Sequence, residues 1–236
     1  MAPKYEVKAK DRIRKGIAKF TPILTRACEQ GANEANTSAI VHAMLAELLG
    51  YDRFFELSGE YEVKGRWADW AVRVDNTLWF FVEVKPVAAR LRDRDLFQVV
   101  AYARQYDLRW AVVTNGHTWQ CHRVASGQDT ESFFEIRLLD AEQPAREKVN
   151  QFFLLSKEGF SRAALADAWR ESQRLRPDYL AKLLLSDSVL TEMRRLVHRD
   201  HKGRRLHKAE LKDALSRHVL RGDLMDLLRE GEPKPD

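Results

Sequence analysis

The hydrophobic period changes near residue 50, and that change does most to limit the folds open to this chain. Up to that point apolar side chains recur every three or four positions, the spacing of one helix face. Between residues 54 and 85 the segments FFELSGEYEV, WADWAVRV and LWFFVEVK are instead rich in aromatic and β-branched residues. Turn-forming residues part them, so three consecutive strands are predicted. Ahead of them, Ile13, Ile17, Phe20, Leu24 and Ala27 mark a helix over 11–29, with Gly31 as its stop and Pro22 as a kink or split. A second helix, following Asn36 and Thr37, presents Ile40, Val41, Met44, Leu45, Leu48 and Leu49 as a broad apolar face and ends at Gly50.

After Pro86 the helical period returns through Leu96, Val99, Val100 and Ala103, ending near Asp107. WAVVT and TWQCHRV, joined through Asn115-Gly116, predict a strand pair around a tight turn, and FFEIRLL a further strand. Beyond Asp140 the pattern is helical, broken at Pro177 and Gly203, with a disordered GEPKPD tail. The domain organisation predicted is a core with N-terminal helices over 1–140 and a helical, partly basic extension over 141–236. Trp67, Trp70, Trp79, Trp110, Trp119 and Trp169 are assigned to the core rather than to a base-stacking platform.

Several classes are excluded early. No apolar run approaches the roughly 18 residues of a membrane span, and no apolar segment follows the charged start MAPKYEVKAKDRIRKG, so no membrane partner and a cytoplasmic location are expected. Cys28 and Cys121 have no Cys or His at zinc spacing and are expected to be reduced thiols. No GxxxxGK[ST] loop occurs, so no ATP-driven motor is recognisable in the chain. Net charge is a modest +5, but residues 194–208 hold seven Lys or Arg (Arg194, Arg195, Arg199, Lys202, Arg204, Arg205 and Lys208) against one Asp. That run suits phosphate contacts, or else a solvated helix face. His198 and His201, three apart with no third ligand in view, are taken as part of it.

The chemistry-bearing residues lie in the second and third strands. Glu83 and Lys85, two apart on a strand, project from one face. Asp69 on the preceding strand joins them only in one register. A two-residue turn at Asp75 and Asn76 would set Asp69 opposite Val82; a three-residue loop over 75–77 pairs 74 with 78 and therefore 69 with 83. The site thus needs an odd loop, or a bulge in its place. In that register Ala68, Trp70, Val72, Val74, Leu78, Phe80, Val82 and Val84 share one apolar side, and Asp69, Arg73, Glu83 and Lys85 the other. Two adjoining carboxylates repel unless a cation sits between them, and hard oxygen donors suit Mg²⁺ or Mn²⁺ rather than zinc. The same spacing also fits an ordinary cross-strand charge cluster at a sheet edge.

Asp69, thirteen residues, then Glu83-Val84-Lys85 on an apolar strand resembles the PD-(D/E)xK nuclease motif. Gln98-Val99-Val100-Ala101-Tyr102 on the following helix resembles the QxxxY motif of the N-terminal nuclease domain of type I restriction enzyme R subunits. The segments NEANTSAIVHAMLAELLGYD and QVVAYARQYDLRWAVVTNGHTWQCHRV are similar to stretches of that domain, and the likeness covers roughly residues 30–140. It implies an α/β fold: a restriction-endonuclease-like mixed β-sheet flanked by helices, here with a C-terminal helical extension. It also implies that Asp69, Glu83 and the carbonyl of Val84 hold Mg²⁺ or Mn²⁺ while Lys85 positions or activates the attacking water. Glu34 matches the family's additional acidic residue, and Gln98 and Tyr102, four apart on one helix face, are expected beside the site or the nucleic-acid backbone. The R subunits continue into a helicase motor, so DNA and a separate motor or specificity subunit are the expected partners. Oligomeric state stays open, a dimer included. The function expected is a divalent-metal-dependent DNA endonuclease of restriction or defence type. The alternative is a nucleic-acid-binding or assembly module that uses the nuclease fold without cutting.

Overall fold

The helical period of the first fifty residues is realised as α1 (Lys4–Glu29) and α2 (Glu34–Ala43), the latter running into one π-helical turn, Met44–Leu48. These come from a computed structural model that describes residues 3–125, 130–201, 203, 206–220 and 222. Pro22 neither splits nor ends α1. Both Pro22 and Ala18, whose carbonyl loses its amide partner there, lie on the exposed face, where that carbonyl is open to solvent. Gly31 does stop the helix: at φ 61° it lets Ala32 N–H reach the Ala27 carbonyl (3.0 Å) while its own N–H reaches that of Cys28 (3.2 Å). The start of α2 falls before Asn36 because Asn33 is the cap, its side chain accepting from Asn36 N–H at 2.9 Å.

Among the described residues the strands are β1 (Leu57–Val63), β2 (Arg66–Val74), β3 (Thr77–Val84), β4 (Trp110–Thr114), β5 (Thr118–Val124) and β6 (Thr130–Arg137). They form one sheet in sequence order. Neighbours run antiparallel except β3 and β4, which are parallel because α3 (Asp93–Gln105) carries the chain back between them. The sheet is therefore mixed and flanked by helices, as the resemblance implied. Val99, Val100 and Ala103 of α3 pack with Ala71, Phe81, Ala111 and Val113 of the sheet, α2 lies against β3, and α4 (Ala145–Leu155) lies against β6.

The β2–β3 hairpin differs from expectation in the way it reaches its register. Its loop has two residues, not three: Val74 pairs with Thr77, and Asp75 and Asn76 both take positive φ (50° and 60°). Asp and Asn tolerate that conformation, and such a turn matches the twist of the strands. The odd residue sits in the strand instead. Arg73 pairs with Leu78 but Val72 with Phe80, so Trp79 is an extra residue on β3, a β-bulge. Past it, Ala71 pairs with Phe81 and Trp70 with Val82, which brings Asp69 alongside Glu83.

The division into one apolar and one polar face does not hold either. Ala71 and Phe81 are fully buried on the α3 side, and Ala68 joins the same cluster although it is three residues from Ala71. Strict alternation is thus broken at Asp69 and Trp70, opposite Glu60, whose φ of 46° twists β1. Of the tryptophans assigned to the core, Trp110 and Trp119 are buried and Trp70, Trp79 and Trp169 half-buried, but Trp67 is exposed.

The chain divides into two compact units, one ending at Leu165 and one beginning at Ala166. α4 and α5 (Lys157–Ser161) fall within the first. The second is helical, with most of α6 (Ala164–Arg174), then α7 (Pro177–Leu184), α8 (Asp187–Asp200) and α9 (Lys208–His218). Pro177 opens α7, where its missing N–H costs nothing, and Gly203 lies between α8 and α9. The GEPKPD tail lies outside the described residues. Among the described residues no helix is long and apolar enough to cross a membrane.

Candidate active site

Beyond the Trp70–Val82 pair the β2–β3 ladder ends, and the amide of Val84 would lack an acceptor. Asp69 supplies one: its Oδ2 accepts from Val84 N–H at 2.6 Å. The carboxylate is thereby drawn across the end of β3. Glu83, on that strand, is 2% exposed and pairs with Val113 of β4, so it belongs to the middle of the sheet rather than to a solvated edge. Its Oε1 accepts from Lys85 Nζ at 2.6 Å, and its Oε2 is buried without a partner. Asp69, Glu83 and Lys85 are thus brought together.

Burial is the main electrostatic influence on all three. It pushes the Glu83 carboxyl up to about 7, with help from the negative charge of Asp69 and against the pull of Lys85. The Asp69 carboxyl is raised by burial too, opposed by the Val84 amide and Lys85. Burial alone would lower the Lys85 ammonium, but the hydrogen bond and charge of Glu83, with Glu34 and Asp69, raise it instead. A buried carboxylate with an orphaned oxygen, its charge disfavoured by a half-buried carboxylate beside it, forms a place that a cation relieves. Among the described residues no three His, Cys, Asp or Glu side chains group as a metal-binding set. Two carboxylates are nevertheless a donor set that fits Mg²⁺, an ion that keeps several waters and takes one or two carboxylates from a protein.

Beside Asp69 opens a cleft of about 690 Å³ lined by Glu34, Ser38, His42, Glu60, Asp69 and Trp70, among others. Glu34, the first residue of α2, is exposed, and its charge acts on Asp69, Glu83 and Lys85. Glu60 was missed by sequence reasoning. It stands across from Asp69 on β1 and adds to the upward push on that carboxyl; only the β1–β2 register, which the sequence pattern does not fix, could have revealed it. One wall of the cleft carries His42 stacked on Trp70 (ring centroids 4.5 Å apart, 8° between planes), with Trp70 Nε1 donating to Ser38 Oγ at 2.9 Å.

Gln98 and Tyr102 reach the same neighbourhood from α3. Tyr102 is buried, donates its hydroxyl to the Trp67 carbonyl at 3.2 Å and is hydrogen-bonded by Gln98. Burial raises its phenol, and the charges of Glu83 and Asp69 add to the rise. The basic run lies apart in sequence, in the second unit. Arg194, Arg195 and Arg199 are on α8, where Arg195 pairs with Glu192 and Arg199 with Asp200, and Lys208 pairs with Asp187. Lys202, Arg204 and Arg205 lie outside the described residues.

Residues 42–137 match the family model of the type I restriction enzyme R protein N terminus, a span that takes in Asp69, Glu83, Lys85, Gln98 and Tyr102 but not Glu34. No curated protein and no solved structure matches the chain.

Proposed function

We propose that this chain, with an R-protein N-terminal segment at its centre, is a divalent-metal-dependent endodeoxyribonuclease of restriction or defence type. The observation that carries this is the Asp69–Glu83 pair at the end of β3, where Glu83 is buried with its Oε2 unpartnered and Lys85 on the other oxygen. Asp69, Glu83 and the Val84 carbonyl would hold Mg²⁺ or Mn²⁺; such an ion lowers the pKa of a bound water and neutralises charge on the phosphoryl oxygens. Lys85, which sits on Glu83 Oε1, would orient the attacking water or the phosphate. Gln98 hydrogen-bonds the DNA backbone, and Tyr102 fixes the β2 main chain beside Asp69 through the Trp67 carbonyl. Glu34 contributes a further acidic group at the rim. The cations from Arg194 to Lys208 contact phosphates without reading sequence. A separate motor or specificity subunit completes the system in the cell.

The test is plasmid cleavage with Mg²⁺, Mn²⁺ or EDTA, run beside gel shifts on wild type, Asp69→Ala, Glu83→Ala and Lys85→Ala. The first two variants should lose cleavage by orders of magnitude and keep DNA binding, since phosphate affinity comes from Lys and Arg. Lys85→Ala should lose cleavage and bind more weakly. Wild type that binds DNA yet never cuts, even with motor partners supplied, would favour a binding or assembly module on a nuclease fold.

A further inference from the structure

Trp67 is 56% exposed, an unusual setting for the largest apolar side chain on a strand. The reason is local alternation. Its neighbour Ala68 and that residue's cross-strand partner Tyr61 turn toward the α3 core, so Trp67 and its own partner Glu62 face outward. Among the described residues no aromatic ring or cation packs on the indole. The main chain that carries it is nevertheless held firmly. Trp67 pairs with Glu62, its carbonyl accepts from the buried Tyr102, and the hairpin closes one residue further on through Lys64 and Gly65, both at positive φ (45° and 77°). Lys64 and Arg66 on that tip are exposed. Asp69 lies two residues along the same strand, roughly 7 Å away.

An open indole on a firmly held main chain, two residues along the strand from Asp69, fits a nucleobase whose phosphate sits at the carboxylates. Within continuous duplex DNA both faces of every base are covered by its neighbours, so only an unpaired or extruded base offers a face to Trp67. We propose that Trp67 stacks on an unpaired base adjoining the phosphate at Asp69 and Glu83. The chain then prefers DNA with a single-stranded end, flap or gap to continuous duplex. The position of that base next to the reacting phosphate rests on the nuclease reading; the stacking itself does not.

The experiment measures binding of the full chain in EDTA to two DNAs of one sequence, a blunt duplex and a duplex with a single-stranded overhang bearing 2-aminopurine. Wild type should bind the overhang more tightly and change the 2-aminopurine fluorescence. Trp67→Ala should lose about 5- to 150-fold on the overhang, the factor one base–aromatic stack is worth, and change little on the blunt duplex. Trp67→Phe should retain most of the preference, and Phe55→Ala, an aromatic 85% exposed ahead of β1, should behave as wild type. Equal loss on both DNAs, or no loss on either, overturns the stacking. Cleavage in Mg²⁺ is scored separately: Trp67-dependent overhang binding without any cutting, even with motor partners supplied, sinks the nuclease proposal alone, whereas cutting with unchanged Trp67→Ala binding sinks only the stacking.

Discussion

Replacing Glu83 with Gln tests whether the site is held at a cost to stability that a cation relieves. Glu83 ionises near 7 when folded, against an ordinary value of 4.5. The folded state therefore holds the proton more tightly than the unfolded chain. Its stabilising effect is fully present below about 4.5 and is lost as pH rises through about 7. At 1.36 kcal/mol per pH unit of displacement, the charged side chain costs about 3 kcal/mol once ionised. Glu83 is 2% exposed, so solvent screens little of that cost. Gln keeps the shape and the acceptor for Lys85 but never ionises. In EDTA, thermal unfolding followed at pH 8.5 should show Glu83→Gln melting about 6–12 °C above wild type, scaling 3 kcal/mol by the response of a domain this size. At pH 5 most of that gap should close, since the wild-type carboxyl is then neutral in the fold. Mg²⁺ at pH 8.5 should raise the wild type and leave the variant nearly unmoved. A gap of equal size at both pH values, or a variant less stable at pH 8.5 than at pH 5 relative to wild type, would refute the argument.

Tyr102→Phe removes the hydroxyl that reaches the Trp67 carbonyl; urea unfolding should register a loss of about 1 kcal/mol. His122 is 6% exposed, neither ring nitrogen has a partner, and burial lowers it to about 4 despite the nearby charges of Asp93 and Glu135. Its neutral form contributes stability that is intact above about 6.5 and lost as pH falls through 4. His122→Leu should therefore remove about 3 kcal/mol of wild-type acid sensitivity in unfolding measured across that window. Neutralising Arg204 and Arg205 together should flatten the salt dependence of DNA binding by up to about one unit of slope for each phosphate they neutralise, whereas an unchanged slope would assign them to solvent.

Much of this architecture was legible because it follows from period. Six strands, the α3 crossover and the N-terminal helices are each written as a spacing of apolar residues. The juxtaposition of Asp69 with Glu83 could be posed from the sequence as a question of parity, odd or even. The answer could not be read, since an Asp-Asn turn closes well with two residues and nothing in LWFFVEVK marks Trp79 as the residue to be bulged. Packing decides that: Trp79 stacks on Phe160, 4.7 Å away and far later in the chain. The exposure of Trp67 was illegible for a related reason. It depends on a twist at Glu60, a residue whose positive φ no propensity foretells. Glu60 escaped as a neighbour of Asp69 because the sequence pattern does not fix the β1–β2 register.

The parallel pairing of β3 with β4 divides the site by the order in which it can assemble. Asp69 and Glu83 meet through a hairpin of adjacent strands, a short-range closure of the kind completed in microseconds. Phe81 meets Ala111 only after the chain has wound through α3 and returned, a slower, long-range event. A refolding chain can thus bring its two acids together well before Gln98 and Tyr102 arrive to stand over them. Weakening α3 should delay the burial of Tyr102 on refolding more than it delays the formation of the hairpin.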